Sequence, residues 1–204
     1  MRVGLFGGTF DPPHLGHLAV ARAVRDRFAL DRVLLAPAGV QPLKPGGAQA
    51  SFADRLRMVE LLCDGCKGIE ASAIDAPRPD GSPNYTIDTL HRLCAELPAA
   101  EIFVVVGADA FLGIRRWKSP EELLREWRWI VVSRPGFDMA ALDSLGLTPA
   151  QRAQVETLSD FANPASATEI RDRLHEGEGD DETATDLVPA KVLEYIKTHH
   201  LYGT

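Results

Sequence analysis

Glu101-Ile-Phe-Val-Val-Val106 is the segment that most limits what this chain can become. Ile102 to Val106 are all apolar, the run has strand length, and Gly107 closes it. Such a strand offers no face to water, so it has to be covered on both sides, as in a parallel sheet sandwiched between helices. Further strands are read at Arg2–Phe6, Arg32–Ala36, Gly68–Ala73 and Trp129–Ser133. Between and after them, apolar residues recur at helical spacing. Helices are predicted over Leu15–Phe28 (inward face Leu15, Leu18, Ala19, Ala23, Phe28) and Phe52–Cys63 (Leu56, Val59, Leu62, Cys63). Three more follow: Thr86–Leu97 (Ile87, Leu90, Leu93, Cys94), Pro120–Glu126 and Pro189–His199. Asp138–Asp160 reads as helical pieces, Asp75–Asn84 as a surface loop and Glu176–Asp186 as an acidic solvated loop. The alternation predicts an α/β fold with a mainly parallel sheet and helices on both faces. Ligands in such folds sit at the carboxyl ends of the strands. The loops after Phe6, Ala36, Val106 and Ser133 should therefore share one mouth.

Composition narrows the classes. With 204 residues, 45% hydrophobic and 25% charged, residues 1–204 are expected to form a single domain. The balance of 22 Lys and Arg against 29 Asp and Glu, a net charge of -7, argues against a nucleic-acid partner. No apolar run approaches the ~18–20 residues of a membrane span, and the start lacks a secretory signal, so a cytoplasmic protein with no membrane partner is expected. Three cysteines do not make a disulfide framework. Cys63-x2-Cys66 and His91-x2-Cys94 have spacings that would suit zinc. Cys63 and Cys94, however, read as small hydrophobes on apolar helix faces. No metal held by protein side chains is expected.

The chemistry concentrates where the first strand empties into Gly7-Gly-Thr-Phe-Asp-Pro-Pro-His-Leu-Gly-His17 and a helix follows at once. Glycines let backbone approach a ligand, and a helix N-terminus offers N–H groups and partial positive charge to phosphate. His14 and His17 flank Gly16 at that start. Neither GxxxxGK[ST] nor GxGxxG is present. A second phosphate site is read at Ser166-Ala-Thr-Glu-Ile-Arg171. A Ser or Thr there caps a helix, and Arg171 one turn on can make paired charge-assisted bonds.

Gly8-Thr-Phe-Asp-Pro12 with His14-Leu-Gly-His17 resembles the GTFDPxHxGH signature of the small nucleotidyltransferases, and Ser166–Arg171 resembles their SSTxIR element, with Ala167 where a second Ser is usual. Asn84-Tyr-Thr-Ile-Asp-Thr-Leu90, Gly107-Ala-Asp-Ala-Phe111, Trp117 and Ser133-Arg-Pro-Gly136 look like the nicotinate-nucleotide adenylyltransferases within that superfamily. So do Val192-Leu-Glu-Tyr-Ile196 and His200-Leu-Tyr202, and the resemblance spans nearly the whole chain. It implies a Rossmann-like doubly wound fold and transfer of the adenylyl group of ATP to nicotinate mononucleotide, with Mg²⁺ accompanying ATP. Residues from about 160 to 204 would complete the site. The residues it marks for catalysis are His14, His17, Lys44 and Arg171. For ATP they are Gly7, Gly8, Thr9, Phe10, Gly107, Asp109, Arg134, Ser166 and Thr168. For nicotinate mononucleotide they are Tyr85, Thr86 and Trp117. Leu43-Lys44 stands where the family often has His-Lys or His-Arg. Some residues keep two readings: Asp109 as ribose acceptor or helix cap, Trp117 as stacking platform or core, Arg134 as ligand contact or surface residue. Other phosphomonoesters, nicotinamide mononucleotide and phosphopantetheine among them, stay open as acceptors. So does a non-catalytic nucleotide-sensing module. The sequence does not set the oligomeric state.

Overall fold

The computed structural model describes the whole chain except residues 43–45, 134–138, 160–165 and 176–185. Six strands form one parallel sheet in the order β3–β2–β1–β4–β5–β6. They are β1 (Arg2–Gly8), β2 (Arg32–Pro37), β3 (Ile69–Ala71), β4 (Glu101–Gly107), β5 (Arg128–Val132) and β6 (Val155–Leu158). Among the described residues the α-helices are α1 (Leu15–Arg27), α2 (Phe52–Cys63), α3 (Thr86–Glu96), α4 (Ala108–Phe111), α5 (Pro120–Glu126), α6 (Pro149–Arg152), α7 (Ala167–His175) and α8 (Ala190–Thr198). This is the α/β architecture that the strand–helix alternation predicts, in the Rossmann-like form that the resemblance implies. Leu5 of β1 stands between Leu34 of β2 and Val104 of β4. Chain order runs one way from β1 to β3 and the other way from β4 to β6, so the β1/β4 boundary is the switch point where a crevice opens.

Side chains alternate strictly across the sheet. Val33, Leu35, Phe103, Val105 and Ile130 pack with Leu18, Val24, Met58, Leu62, Ile170 and Ile196 on one face. Val3, Leu5, Leu34, Val104 and Trp129 pack with Leu90, Phe111 and Leu123 on the other. The pleat sends neighbours in β2, β4 and β5 to opposite cores, which is why those strands are apolar after their first residue. Among the described residues no helix is long and apolar enough to cross a membrane.

Several expectations are corrected. The stretch 138–160 contains a 3-10 turn and α6 but ends in a sixth strand, β6. Its sequence, Val-Glu-Thr-Leu, carries polar residues as an edge strand does, and pairing with β5 decides it. In α1 the buried face is Gly16, Leu18, Ala21 and Val24; Leu15 is 39% exposed and Ala19 faces solvent. Alanines on several faces of this helix leave its stripe undefined until it packs. In α2 the inward residue at the end of the first turn is Arg55, with Leu56 only half-buried. Cys94 is exposed, because Ile87, Leu90 and Leu93 set the stripe of α3 and leave it outside. The 75–84 segment is a loop, yet Asn84 within it is buried. The acidic run lies outside the described residues apart from Asp186.

Helix α7 carries Arg171 and is docked by Ile170 and Leu174, both buried in the first core. Ile170→Ala should cost ~2–5 kcal/mol in urea unfolding. A loss below about 0.5 kcal/mol, the scale of a neutral surface change, would show that α7 is not anchored this way.

Candidate active site

At the carboxyl ends of β1, β2 and β4 lies a cavity of about 640 Å³. Gly7, Gly8 and Thr9 form one wall, and Ala36, Ala38 and Gln41 continue it. Tyr85 and Thr86 at the start of α3, Asp109 of α4, and Trp117 form the other. Three of the four predicted loops thus meet; the fourth, after Ser133, falls mostly outside the described residues.

His14 sits in extended conformation at the N-cap of α1, whose first turn holds no acidic residue. Its backbone N–H donates to His17 Nδ1 at 3.2 Å. That bond fixes the tautomer: Nδ1 accepts, so the neutral ring carries its proton on Nε2. The two imidazoles lie 3.7 Å apart between centroids with a 32° tilt. Phe10 is in the left-handed region at φ +51°. Its ring is buried, 4.8 Å from the His17 ring, so it backs that histidine and its side chain does not face the cavity. Gly8 leaves room for the same ring, since a Cβ would stand 3.1 Å from it.

Beneath this loop lie charges that sequence reasoning missed. Asp11 is buried; its Oδ2 accepts from Gln49 N at 2.7 Å and its Oδ1 from Ala50 N at 3.1 Å. The Tyr202 hydroxyl donates to the same Oδ1 at 2.8 Å. Arg55 is buried too, donating to the carbonyls of Thr9 at 2.7 Å, Ala38 at 2.9 Å and Ala50 at 3.3 Å. Burial pulls its titration below the ordinary arginine range, and Asp11 and then Tyr202 oppose that pull. The signal in the sequence was a cation three residues before Met58 on a core-facing helix.

Arg171 reaches the loop from α7. Its Nη1 donates to the backbone carbonyl of Asp11 at 2.6 Å and its Nη2 to Thr168 Oγ1 at 3.3 Å. Ser166 precedes the helix, and its carbonyl accepts from Ile170 N. The fold therefore joins Ser166, Thr168 and Arg171 to the His14–His17 loop across the length of the chain. Lys44 and Arg134 lie outside the described residues.

The far end of the cavity is built on α3 and the segment after α4. Tyr85 is the N-cap of α3 and makes no side-chain cap bond. Trp117 is half-buried, edge-on to Trp129 at 6.0 Å, and lines the cavity, so it is both core and wall. Lys118 Nζ bonds Asp88 Oδ1 at 2.9 Å and lies 4.8 Å from the Tyr85 ring centre. Burial favours the neutral acid at Asp88, but Lys118 and Arg78 outweigh it and hold the carboxyl below its usual range. Gly107 caps α4, and Asp109 follows in its first turn, exposed and lining the cavity. Asn84 ties the walls together: Oδ1 accepts from Val40 N at 3.0 Å and Nδ2 donates to Ala76 O at 2.9 Å. Gly39 is required there, because a Cβ would stand 2.5 Å from Asn84 Oδ1. Asp75 beside it is pushed upward by burial, against bonds from Thr89 and Asn84.

Of the residues whose spacing alone would suit zinc, Cys63 is buried, Cys66 half-buried and Cys94 exposed, while His91 Nε2 pairs with Glu122 at 2.9 Å. Among the described residues no group of three or more His, Cys, Asp or Glu could hold a metal ion.

Arg55→Met should destabilise the protein by ~3–5 kcal/mol, since Asp11 and the three carbonyls would be left buried without their cation. Urea unfolding measures this; a neutral result would mean that water replaces the guanidinium without loss.

Residues 5–173 match the cytidylyltransferase-like family. A probable nicotinate-nucleotide adenylyltransferase of Gloeobacter violaceus is 41% identical over 202 residues, covering 98% of this chain and 96% of the relative. One from Solibacter usitatus is 40% identical over 205 residues and the full length of both. The nicotinic acid mononucleotide adenylyltransferase of Plasmodium falciparum, solved in complex with NaAD, shares the fold, with a TM-score of 0.76 at 17% identity over 98% of this chain and 97% of its own. With a glycine-rich strand end, paired histidines at a helix start and identity that runs the full length, the chain belongs to the cytidylyltransferase-like family, among the nicotinate-nucleotide adenylyltransferases.

Proposed function

We propose that this protein transfers the adenylyl group of ATP to nicotinate mononucleotide, giving deamido-NAD and pyrophosphate in NAD biosynthesis. The observation that carries the reading is a single cavity running from the Gly7–Thr9 loop to the α3 start beside Trp117. Its two ends suit a nucleotide's phosphates and a carboxylated aromatic ring. The whole chain acts as one nucleotidyltransferase domain, with residues 160–204 completing the site.

In this reading a phosphate oxygen of the mononucleotide attacks the α-phosphorus of ATP. The new P–O bond forms as the bond to the β-phosphate bridging oxygen breaks, and pyrophosphate leaves with the electron pair. The nucleophile is already anionic near neutral pH, so no general base is required. Catalysis is positioning and charge neutralisation. The His17 Nε2–H and His14, at the positive end of α1, serve the α-phosphate and its bridging oxygen. Arg171, Ser166 and Thr168 serve the leaving phosphates, with Lys44 as a further cation. Gly7, Gly8 and the backbone of Thr9 and Phe10 give ATP close approach. Asp109 beside Gly107 accepts from ribose hydroxyls, and Arg134 contacts the adenylyl half. Trp117 offers a face for the pyridine ring, and the free N–H groups at Tyr85 and Thr86 hold its carboxylate. Mg²⁺ would enter with ATP and would neutralise part of the charge on its triphosphate.

A carboxylate pocket at α3 should favour nicotinate over nicotinamide mononucleotide by ~1.5–3 kcal/mol in kcat/KM. Product chromatography with ATP-Mg and each mononucleotide checks this; equal efficiencies would remove the carboxylate pocket from the reading.

His17→Ala should lower turnover ~10²–10³-fold at saturating ATP, with a folded protein and a modest change in nucleotide affinity. Near-normal turnover would make His17 a structural residue.

A further inference from the structure

Tyr202 lies in the 3-10 turn Leu201–Gly203 that follows α8. Here its hydroxyl is bonded to Asp11 Oδ1. Burial first, then Asp11, pushes the phenol above the ordinary tyrosine range, while Arg171 and then Arg55 pull the other way. Its backbone is left-handed at φ +61°, a conformation that a non-glycine residue keeps only where its surroundings impose it. Gly203 follows at φ +87°, and a Cβ there would stand 2.5 Å from the side-chain Nδ1 of His175, so one of the two would have to move. His175 is the last residue of α7. The 3-10 turn Leu201–Gly203 is thus seated on α7 through Gly203 and on Asp11 through Tyr202. Arg171 of α7 makes the reverse contact, onto the Asp11 carbonyl.

We propose that Tyr202 is a positioning residue for Arg171: the C-terminal turn clasps α7 to the Thr9–Asp11 loop and fixes the guanidinium where the leaving pyrophosphate forms. This rests on the reading of Arg171 as a pyrophosphate ligand. An arginine has many rotamers, and those that miss the ligand dilute its effect. Three bonds restrain this one. Two are its own, to Asp11 O and Thr168 Oγ1. The third, from Tyr202 to Asp11, holds down the turn on which α7 is seated. Asp11 keeps its bonds from Gln49 and Ala50 when that third bond is lost, so the loop stays folded while α7 loosens.

The test is a double-mutant cycle of Tyr202→Phe and Arg171→Ala, read by calorimetric titration with magnesium pyrophosphate. Tyr202→Phe should weaken pyrophosphate binding about tenfold and add nothing in the Arg171→Ala background. In steady state it should lower kcat and leave the KM for nicotinate mononucleotide unchanged. Unchanged pyrophosphate affinity, or the same loss with and without Arg171, would overturn the proposal. If Tyr202→Phe does not fold by circular dichroism, Gly203→Ala, which keeps the phenol and displaces the turn from His175, replaces it in the same cycle. A tenfold loss that needs Arg171 then supports the proposal, and an unchanged affinity or an Arg171-independent loss overturns it. Wild-type protein that forms no deamido-NAD while the pyrophosphate cycle shows the coupling would count against the substrate reading alone.

Discussion

The guanidinium of Arg55, 4% exposed, donates to the carbonyls of Thr9, Ala38 and Ala50. Thr9 belongs to the loop after β1, Ala38 to the turn after β2, and Ala50 to the residue pair before α2. Backbone carbonyls removed from water need donors, and no helix or strand supplies them here. One planar cation with several N–H groups answers all three, and the carboxylate of Asp11 nearby balances its charge. Remove that cation and two walls of the cavity lose their common fastening.

The sheet decides where this fastening has to be. β1 pairs with β2 on one side and β4 on the other, so a crevice opens at its carboxyl end by topology alone. The β1 loop that lines it leads into a helix start that lacks acidic residues and carries His14 and His17. A net charge of -7 is compatible with the polyanion site proposed there. Charge at that range is set by a few fixed donors and a helix end, and the sum over the surface counts for little within a Debye length of ~8–10 Å.

Most of the framework was legible. The apolar runs around Leu34, Val104 and Ile130 could only be covered strands, and α2 and α5 fall on the boundaries their periodicity predicts. What failed did so for identifiable reasons. β6 is an edge strand whose Val-Glu-Thr-Leu pattern carries no signal of its own until β5 pairs with it. The α1 stripe is not readable from spacing because alanines lie on several of its faces. Leu56 looks like the inward residue of α2 because a hydrophobicity count cannot foresee a buried arginine. In the site, the histidines, Arg171, Asp109 and Trp117 stand out by type and position. Phe10 stands out as well, but its ring is buried behind His17.

The sequence by itself determined the class of sheet, the glycine-rich strand end followed by a helix, and the residue types able to meet phosphate, because each of these depends on local spacing. Only the tertiary structure decided that Asp11, Arg55, Arg171 and Tyr202 form one cluster. Their partners are separated by up to 191 positions along the chain, and no local periodicity encodes such a contact. It also decided that Asn84, in a stretch that reads as surface loop, is buried with its amide bridging Val40 and Ala76. Burial and hydrogen-bond partnership of polar groups are set by what the rest of the chain brings against them, and that is fixed only when the sheet has closed around its helices.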